Sequence, residues 1–243
     1  MTLGEPFPDG RTSRVIACRT ADGAPAVLKL SPDPAILAAE AIALRAWGPG
    51  GRAPRLLREA PGALLLERIA PGDHALDAYP APIPVADAAA LLRGLGAAAP
   101  AGLPSMSQRI AFMYGLARRD GRDRALVDDS ECLAADLAAS APGPPEIVHG
   151  DLHLRNVLTG PSDRPLVAID PRPCAGDATF DLVDLALQAD GDTDAVRERT
   201  HALAGATGRD PERAWGWVGA TAILSGRPGA QERAKALLRE WHD

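Results

Sequence analysis

The sequence predicts an α+β protein in which a small antiparallel, β-rich lobe precedes a larger α-helical lobe. Three observations carry that prediction. Residues 1–69 break into short apolar runs separated by turn residues. From Val85 onward the chain is rich in Ala, with Gly or Pro at most segment boundaries, as helices require. One stretch, Ile147 to Asp184, gathers His149, Asp151, His153, Asn156 and Asp170 around a hairpin pattern. The expected division is 1–68 for the first lobe, 69–84 for a hinge and connector, and 85–243 for the helical lobe.

In the first lobe, Gly10-Arg11-Thr12-Ser13-Arg14 separates Phe7 from the run Val15-Ile16-Ala17. Ala21-Asp22-Gly23 separates that run from Ala26-Val27-Leu28-Lys29-Leu30, and Asp-Gly between apolar runs signals a hairpin. Ser31-Pro32-Asp33-Pro34 opens a helix, with Asp33 as N-cap and Pro34 in the first turn. That helix runs to Trp47 and stops at Gly48-Pro49-Gly50. Leu37, Leu44 and Trp47 form its apolar stripe, and Glu40 falls on the same stripe. A buried carboxylate is costly unless paired, and Lys29 is the obvious partner. Arg55-Leu56-Leu57-Arg58 and Ala63-Leu64-Leu65-Leu66-Glu67 are two further strands. The second is too apolar for an edge and fits the middle of a sheet. Ile69-Ala70-Pro71-Gly72-Asp73 breaks the pattern, and Pro80-Ala81-Pro82-Ile83-Pro84 is a stiff connector. Helices are expected over 86–99, 105–120, 123–140, 181–190, 193–206, 211–225 and 229–241, with Asp210-Pro211 starting the sixth.

The central stretch has a geometric meaning. Val157-Leu158 and Pro165-Leu166-Val167-Ala168-Ile169 flank the turn Gly160-Pro161-Ser162-Asp163. Antiparallel pairing of the two runs brings Asn156, which enters the hairpin, beside Asp170, which leaves it. An amide oxygen next to a carboxylate is a hard oxygen-donor site, which suits Mg²⁺ when phosphates supply further ligands. Asp151, one short loop upstream, can then serve as acceptor for a hydroxyl proton.

Composition narrows the function. The net charge of −6 argues against nucleic acid as the main partner and fits a cationic small substrate only weakly. Cys18, Cys132 and Cys174 match neither a disulfide framework nor a zinc pattern. No apolar run approaches membrane-spanning length, and residues 1–15 lack a signal-peptide core, so no membrane partner and a cytoplasmic location are expected. Of 26 basic residues only Lys29 and Lys235 are lysines, and Asn156 is the chain's only Asn. A chain this poor in Lys and Asn places one of each where a phosphoryl-transfer site would use them.

Asp151-Leu152-His153-Leu154-Arg155-Asn156 matches the D-L-x-x-x-N catalytic-loop pattern of kinases. With its flanks, HGDLHLRNVL followed by AIDPRPCAGDATFDLVDLAL resembles the aminoglycoside phosphotransferase family, nearest its streptomycin 6-phosphotransferase and hydroxyurea phosphotransferase branch. The resemblance runs from about Ala26 to the C-terminus. It implies a protein-kinase-like two-lobe fold and ATP-dependent phosphorylation of a hydroxyl on a small molecule, with Mg²⁺. Lys29, paired with Glu40, would hold the α- and β-phosphates, Asn156 and Asp170 the metal, and Asp151 would be the catalytic base. The turn with Gly10 and Ser13 would cover the phosphates, although it lacks G-x-G-x-x-G. Backbone groups of Glu67 and Ile69 would meet the adenine edge. His149 would anchor the catalytic loop, and Asp177 and Asp181 would support that loop from the following helix. The D-F-G of regulated kinases is absent, since Pro171 follows Asp170.

The acceptor implied is a streptomycin-like aminoglycoside or hydroxyurea, and fructosamine-, choline- and homoserine-type kinases share the same motif. Asp184, Asp190, Asp192 and Asp194 offer an acidic rim for an aminocyclitol or a solvated helix start. The acceptor pocket is expected between Asp151 and the C-terminal helices, near Trp215 and Trp217, a residue type that more often belongs to the core. A monomer or weak homodimer is expected. Two other classes stay open at this point. One is a metal hydrolase built on His149, Asp151 and His153. The other is a non-catalytic nucleotide-binding protein.

Overall fold

A computed structural model of the chain describes residues 1–7, 13–48, 51–79, 82–188, 192–225 and 230–242. The first lobe is a five-stranded antiparallel sheet: β1 (Thr2–Pro6), β2 (Arg14–Arg19), β3 (Pro25–Leu30), β4 (Leu56–Ala60) and β5 (Ala63–Glu67), in the order β1-β2-β3-β5-β4. The apolar β5 lies between β3 and β4, as its composition requires. The sequence points only to Phe7 as a leading strand, whereas β1 occupies Thr2–Pro6 and is exposed along its length. A strand with no buried face carries no alternation to read.

Helix α1 (Pro34–Trp47) joins β3 to β4. The Asp33 side chain accepts the Ala35 N–H at 3.0 Å, and Pro34 stands in the first turn. Leu37, Glu40, Leu44 and Trp47 are all buried on one face. Val15 pairs with Lys29, and Lys29 in turn with Leu64, so the lysine sits mid-sheet, buried and facing α1.

The second lobe contains α2 (Ala75–Ala78), α3 (Val85–Gly94), α4 (Met106–Arg119), α5 (Arg124–Ala139), α6 (Val183–Ala186), α7 (Thr193–Thr207), α8 (Pro211–Thr221) and α9 (Ala230–His242). It also holds two small ribbons. Strand β6 (Glu146–Val148) pairs with β9 (Cys174–Gly176), and β7 (Val157–Thr159) pairs with β8 (Leu166–Ala168). Four predicted helices, 105–120, 123–140, 193–206 and 229–241, appear as α4, α5, α7 and α9 with ends shifted by a residue or so.

Three expectations need correction. The helix predicted over 86–99 ends at Gly94, because Ala97 O accepts the Ile147 N–H at 2.9 Å and the Ala99 N–H reaches Pro145 O at 3.0 Å. Pairing with the chain beside β6 overrides the helical preference of the Ala run. The helix predicted over 181–190 is a 3₁₀ turn (Ala178–Leu182) followed by the single turn α6. The end of the 211–225 helix tightens into a 3₁₀ turn at Ala222–Leu224.

The two lobes share one apolar core, in which Leu37, Leu44, Trp47 and Leu64 continue into Ile147, Val157 and Leu166. Polar contacts stitch the junction. Trp47 Nε1 donates to Leu95 O at 2.7 Å, and the Ala168 N–H donates to Arg52 O at 2.7 Å. Arg164 Nη2 meets Glu67 Oε1 at 2.7 Å. Among the described residues no helix is long and apolar enough to cross a membrane.

Candidate active site

The β7–β8 ribbon is the hairpin the sequence predicts, with Val157 opposite Ala168 and Thr159 opposite Leu166. The Ile169 N–H closes it by donating to Asn156 O at 2.8 Å. Asn156 and Asp170 therefore stand at its open end. Asp170 has φ of 56°, the one positive value off glycine among the described residues. Asp tolerates this region because its short polar chain finds local partners. Asn156 ends a 3₁₀ turn (Leu154–Asn156), and its Nδ2 donates to Asp151 O at 2.9 Å and approaches Asp151 Oδ2 at 3.3 Å. Those bonds use the amide nitrogen and leave the amide oxygen out of them.

Lys29 crosses from the first lobe to this hairpin. Its Nζ is bonded at once to Glu40 Oε2 and to Asp170 Oδ1. Glu40 is buried, and burial pushes its carboxyl up against the pull of Lys29. Burial acts on Asp170 in the same direction. There the Lys29 ammonium outweighs it, and the Asp170 carboxyl is held below its usual range. One cation is thus anchored by a buried carboxylate and presented to a more exposed one.

The segment His149-Gly150-Asp151 is held from behind. Asp181 accepts the His149 N–H at 2.6 Å and the Gly150 N–H at 2.9 Å. Asp181 is buried, and that burial pushes its carboxyl up to about 7 despite the two backbone donors. His149 is fully buried, and burial lowers its ring to about 3, so the imidazole is neutral. Its Nε2 lies 3.1 Å from Ile169 O, its Nδ1 faces the Asp151 N–H at 3.4 Å, and its ring stacks on Trp47 with centroids 6.0 Å apart. Both ring nitrogens are engaged by backbone groups, one at the hairpin end and one in the loop. Gly150 has φ of 77°, and a Cβ there would lie 2.4 Å from Arg172 O. Only glycine fits this approach.

The remaining predicted residues fall as follows. Gly10 lies outside the described residues. Ser13 is buried, and its hydroxyl has no hydrogen-bond partner among the described residues. It stands two residues before Val15, which pairs with Lys29. The Glu67 N–H is donated to Arg55 O at 2.9 Å, so that group is taken up within the sheet, and Ile69 is buried. The hydrogen bonds of Asp177 go elsewhere than to the catalytic loop. Its Oδ2 accepts Arg213 Nε at 2.6 Å and Trp217 Nε1 at 2.7 Å, and those bonds, with one from the Thr179 N–H, hold its carboxyl low against burial. Asp177 fastens α8, and the sequence reading is corrected there.

Trp217 is fully buried and Trp215 nearly so, with Arg197 over the Trp215 ring at 4.6 Å, so both tryptophans belong to the core rather than to a pocket wall. Asp192 caps α7 by accepting the Ala195 N–H at 3.2 Å, Asp194 is exposed in its first turn, and Asp184 is half-buried. Asp190 lies outside the described residues. His149, Asp151 and His153 do not form a ligand cluster. Among the described residues no three His, Cys, Asp or Glu side chains converge as metal ligands.

Two arginines were missed by the sequence reading. Arg164 joins the hairpin to β5, and Arg109 of α4 donates Nη2 and Nε to Gly150 O at 2.6 and 3.2 Å. Neither lies in a motif. Their partners come from segments far away in sequence, so only the folded chain reveals them.

Comparison with known proteins places this geometry. A family model described as aminoglycoside/hydroxyurea antibiotic resistance kinase matches residues 3–232, which extends the similarity upstream of Ala26. The chain is 37% identical over 236 residues to a hydroxyurea phosphotransferase from Kitasatospora aureofaciens, covering 90% of this chain and 66% of that one. It is 34% identical to a streptomycin 6-kinase from Streptomyces glaucescens, covering 86% of this chain and 72% of that one. An aminoglycoside phosphotransferase from Streptomyces rimosus, solved with ADP and streptomycin, superposes with a TM-score of 0.64 at 21% identity, covering 91% of this chain and 93% of that one. That likeness shows the kinase-like two-lobe fold.

Proposed function

The chain belongs to the aminoglycoside/hydroxyurea antibiotic resistance kinase family, and on that premise we propose that it transfers the γ-phosphoryl group of ATP to a hydroxyl of a small molecule. The acceptor class is that of its relatives, hydroxyurea or a streptomycin-like aminoglycoside. The observation that carries this reading is Lys29, buried between Glu40 and Asp170, at the mouth of a hairpin whose other end residue, Asn156, touches Asp151.

In this reading Lys29 binds the α- and β-phosphates and Glu40 keeps its ammonium in place. The Ser13 hydroxyl meets a phosphate oxygen, and backbone groups near Glu67 and Ile69 receive the adenine. Asn156 and Asp170 would hold Mg²⁺, which would supply charge neutralisation to the phosphates. Asp151 orients the acceptor hydroxyl and takes its proton. The acceptor oxygen bonds to the γ-phosphorus as the bond from that phosphorus to the β–γ bridging oxygen breaks, and ADP leaves. His149 and Asp181 hold the loop that carries Asp151. Residues 69–84 form the hinge between the lobes. The protein acts in the cytoplasm, as a monomer or weak homodimer.

The test is product formation. Purified protein with Mg²⁺ and ATP is offered hydroxyurea, streptomycin and a panel of amino sugars, with ADP release and phosphorylated acceptor measured together. Acceptor-dependent ADP release with matching phosphorylated product is expected for at least one of these. ATP binding without transfer to any acceptor would favour a nucleotide-binding protein that does no chemistry.

A further inference from the structure

The phosphotransfer reading leaves unexplained how Asp151 is aimed. Its carboxylate is about one-third exposed and has only loose neighbours. Asn156 Nδ2 lies at 3.3 Å, His153 Nε2 at 3.9 Å and Arg109 Nη2 at 4.0 Å. No short bond fixes the side chain, so its position must come largely from the backbone beneath it.

That backbone is fixed on both faces. Asp181 takes the N–H groups of His149 and Gly150 on one side. On the other, Arg109 chelates the carbonyl of Gly150 with two guanidinium nitrogens. The Gly150–Asp151 peptide is planar, so holding its carbonyl oxygen also sets the N–H and Cα of Asp151. Glycine at 150 has no side-chain packing to hold this peptide, and its positive φ is open to neighbouring conformations.

Arg109 is an expensive choice for this task. It is mostly buried, and burial lowers its pKa. Its ion pair with the Asp151 carboxylate is long, at 4.0 Å, beyond hydrogen-bond reach. A largely buried guanidinium with so long an ion pair costs stability unless its hydrogen bonds compensate. Two of its donors are spent on a carbonyl that a neutral donor could have satisfied. The helix that delivers it is itself pinned. The Arg109 N–H donates to Ser105 O, Ser105 bridges to Ala175 of β9, and the Ala175 N–H donates to Pro104 O at 2.8 Å. The guanidinium therefore reaches Gly150 from a firm base, with its remaining charge facing the Asp151 carboxylate.

We propose that Arg109 is a positioning residue for Asp151, acting through the Gly150 carbonyl to aim the base at the acceptor hydroxyl. This proposal rests on the phosphotransfer reading above. It places the effect of Arg109 on the transfer step and not on nucleotide binding, because Lys29, Asn156 and Asp170 are held by other partners.

The test compares wild type, Arg109→Met and Arg109→Lys, with whichever acceptor turns over in the wild type and with ATP varied. Met removes both donors. Lys can restore one bond to Gly150 O and the charge. The expected result is a fall in kcat of on the order of 10- to 100-fold in Arg109→Met, the size that small misplacements of reacting groups produce, with KM for ATP unchanged. Arg109→Lys should recover part of that loss. A kcat equal to wild type in Arg109→Met would overturn the proposal. So would a loss in which KM for ATP rises in step with the fall in kcat and Lys recovers nothing, the pattern of general loosening. If Arg109→Met does not fold, the kcat-against-KM split in Arg109→Lys decides alone. Absence of turnover in the wild type would instead refute the phosphotransfer reading itself, so the two failures are distinct.

Discussion

Asp151→Asn is expected to lower kcat by roughly 10² to 10⁴-fold, the usual worth of a general base, and to leave ATP affinity nearly unchanged. The substitution preserves shape and keeps an oxygen to meet Asn156 Nδ2, which approaches Asp151 Oδ2 at 3.3 Å. The second bond from Asn156 goes to the Asp151 main-chain oxygen at 2.9 Å and is untouched. The Asp181 and Arg109 side chains grip only backbone atoms of the loop, so the loop keeps its path. What disappears is the capacity to accept a proton and to pull the hydroxyl into line. Steady-state kinetics together with calorimetric titration of nucleotide separate the two effects. A kcat within a factor of a few of wild type would mean that Asp151 is not the proton acceptor. That outcome has a physical basis, because a loose transition state leaves the hydroxyl proton in place until late.

Lys29→Met carries the second large effect, and here stability and binding change together. The lysine is 4% exposed and Glu40 1% exposed, so removing the ammonium strands a carboxyl in the core. Breaking such a pair from one side costs about 3–5 kcal/mol. Glu40 softens the loss by taking up a proton, since burial already pushes its carboxyl up. Asp170 is more exposed and can be hydrated, so it adds little to the cost. The double variant Lys29→Met/Glu40→Leu replaces the pair with apolar side chains of similar length, and such replacements are close to neutral. It should therefore regain most of the denaturant midpoint while binding ATP as poorly as the single variant. Recovery of ATP affinity along with stability would show that Lys29 serves the fold alone.

The parts of this site that were legible in the sequence are those set by local rules. The hairpin follows from two apolar runs around Gly160-Pro161-Ser162-Asp163, and antiparallel pairing of those runs brings Asn156 and Asp170 together. Glu40 was legible because helical periodicity put a carboxylate on a stripe otherwise made of Leu37, Leu44 and Trp47. The failures share a cause. Ala97 to Ala99 looked helical, yet they pair with a segment nearly fifty positions away, and pairing partners at that distance leave no mark on local composition. Asp177 carries the same residue type as Asp181 four positions before it. Which one reaches the catalytic loop depends on Arg213 and Trp217 of α8 claiming the first. Trp217 belongs to the core, where Asp177 accepts its N–H. Arg109 was one arginine among many on an amphipathic helix, and only the docked helix shows it against Gly150.

The account depends on Asn156 and Asp170 holding a divalent ion jointly with nucleotide, beside Lys29. Paramagnetic resonance of Mn²⁺, substituting for Mg²⁺, reads this directly. Wild-type protein should bind one Mn²⁺ tightly only when ATP is present, and Asp170→Ala, which leaves Lys29 paired with Glu40, should lose that signal while remaining folded. An unchanged Mn²⁺–ATP signal in Asp170→Ala, or tight Mn²⁺ binding by the wild type without nucleotide, would contradict it.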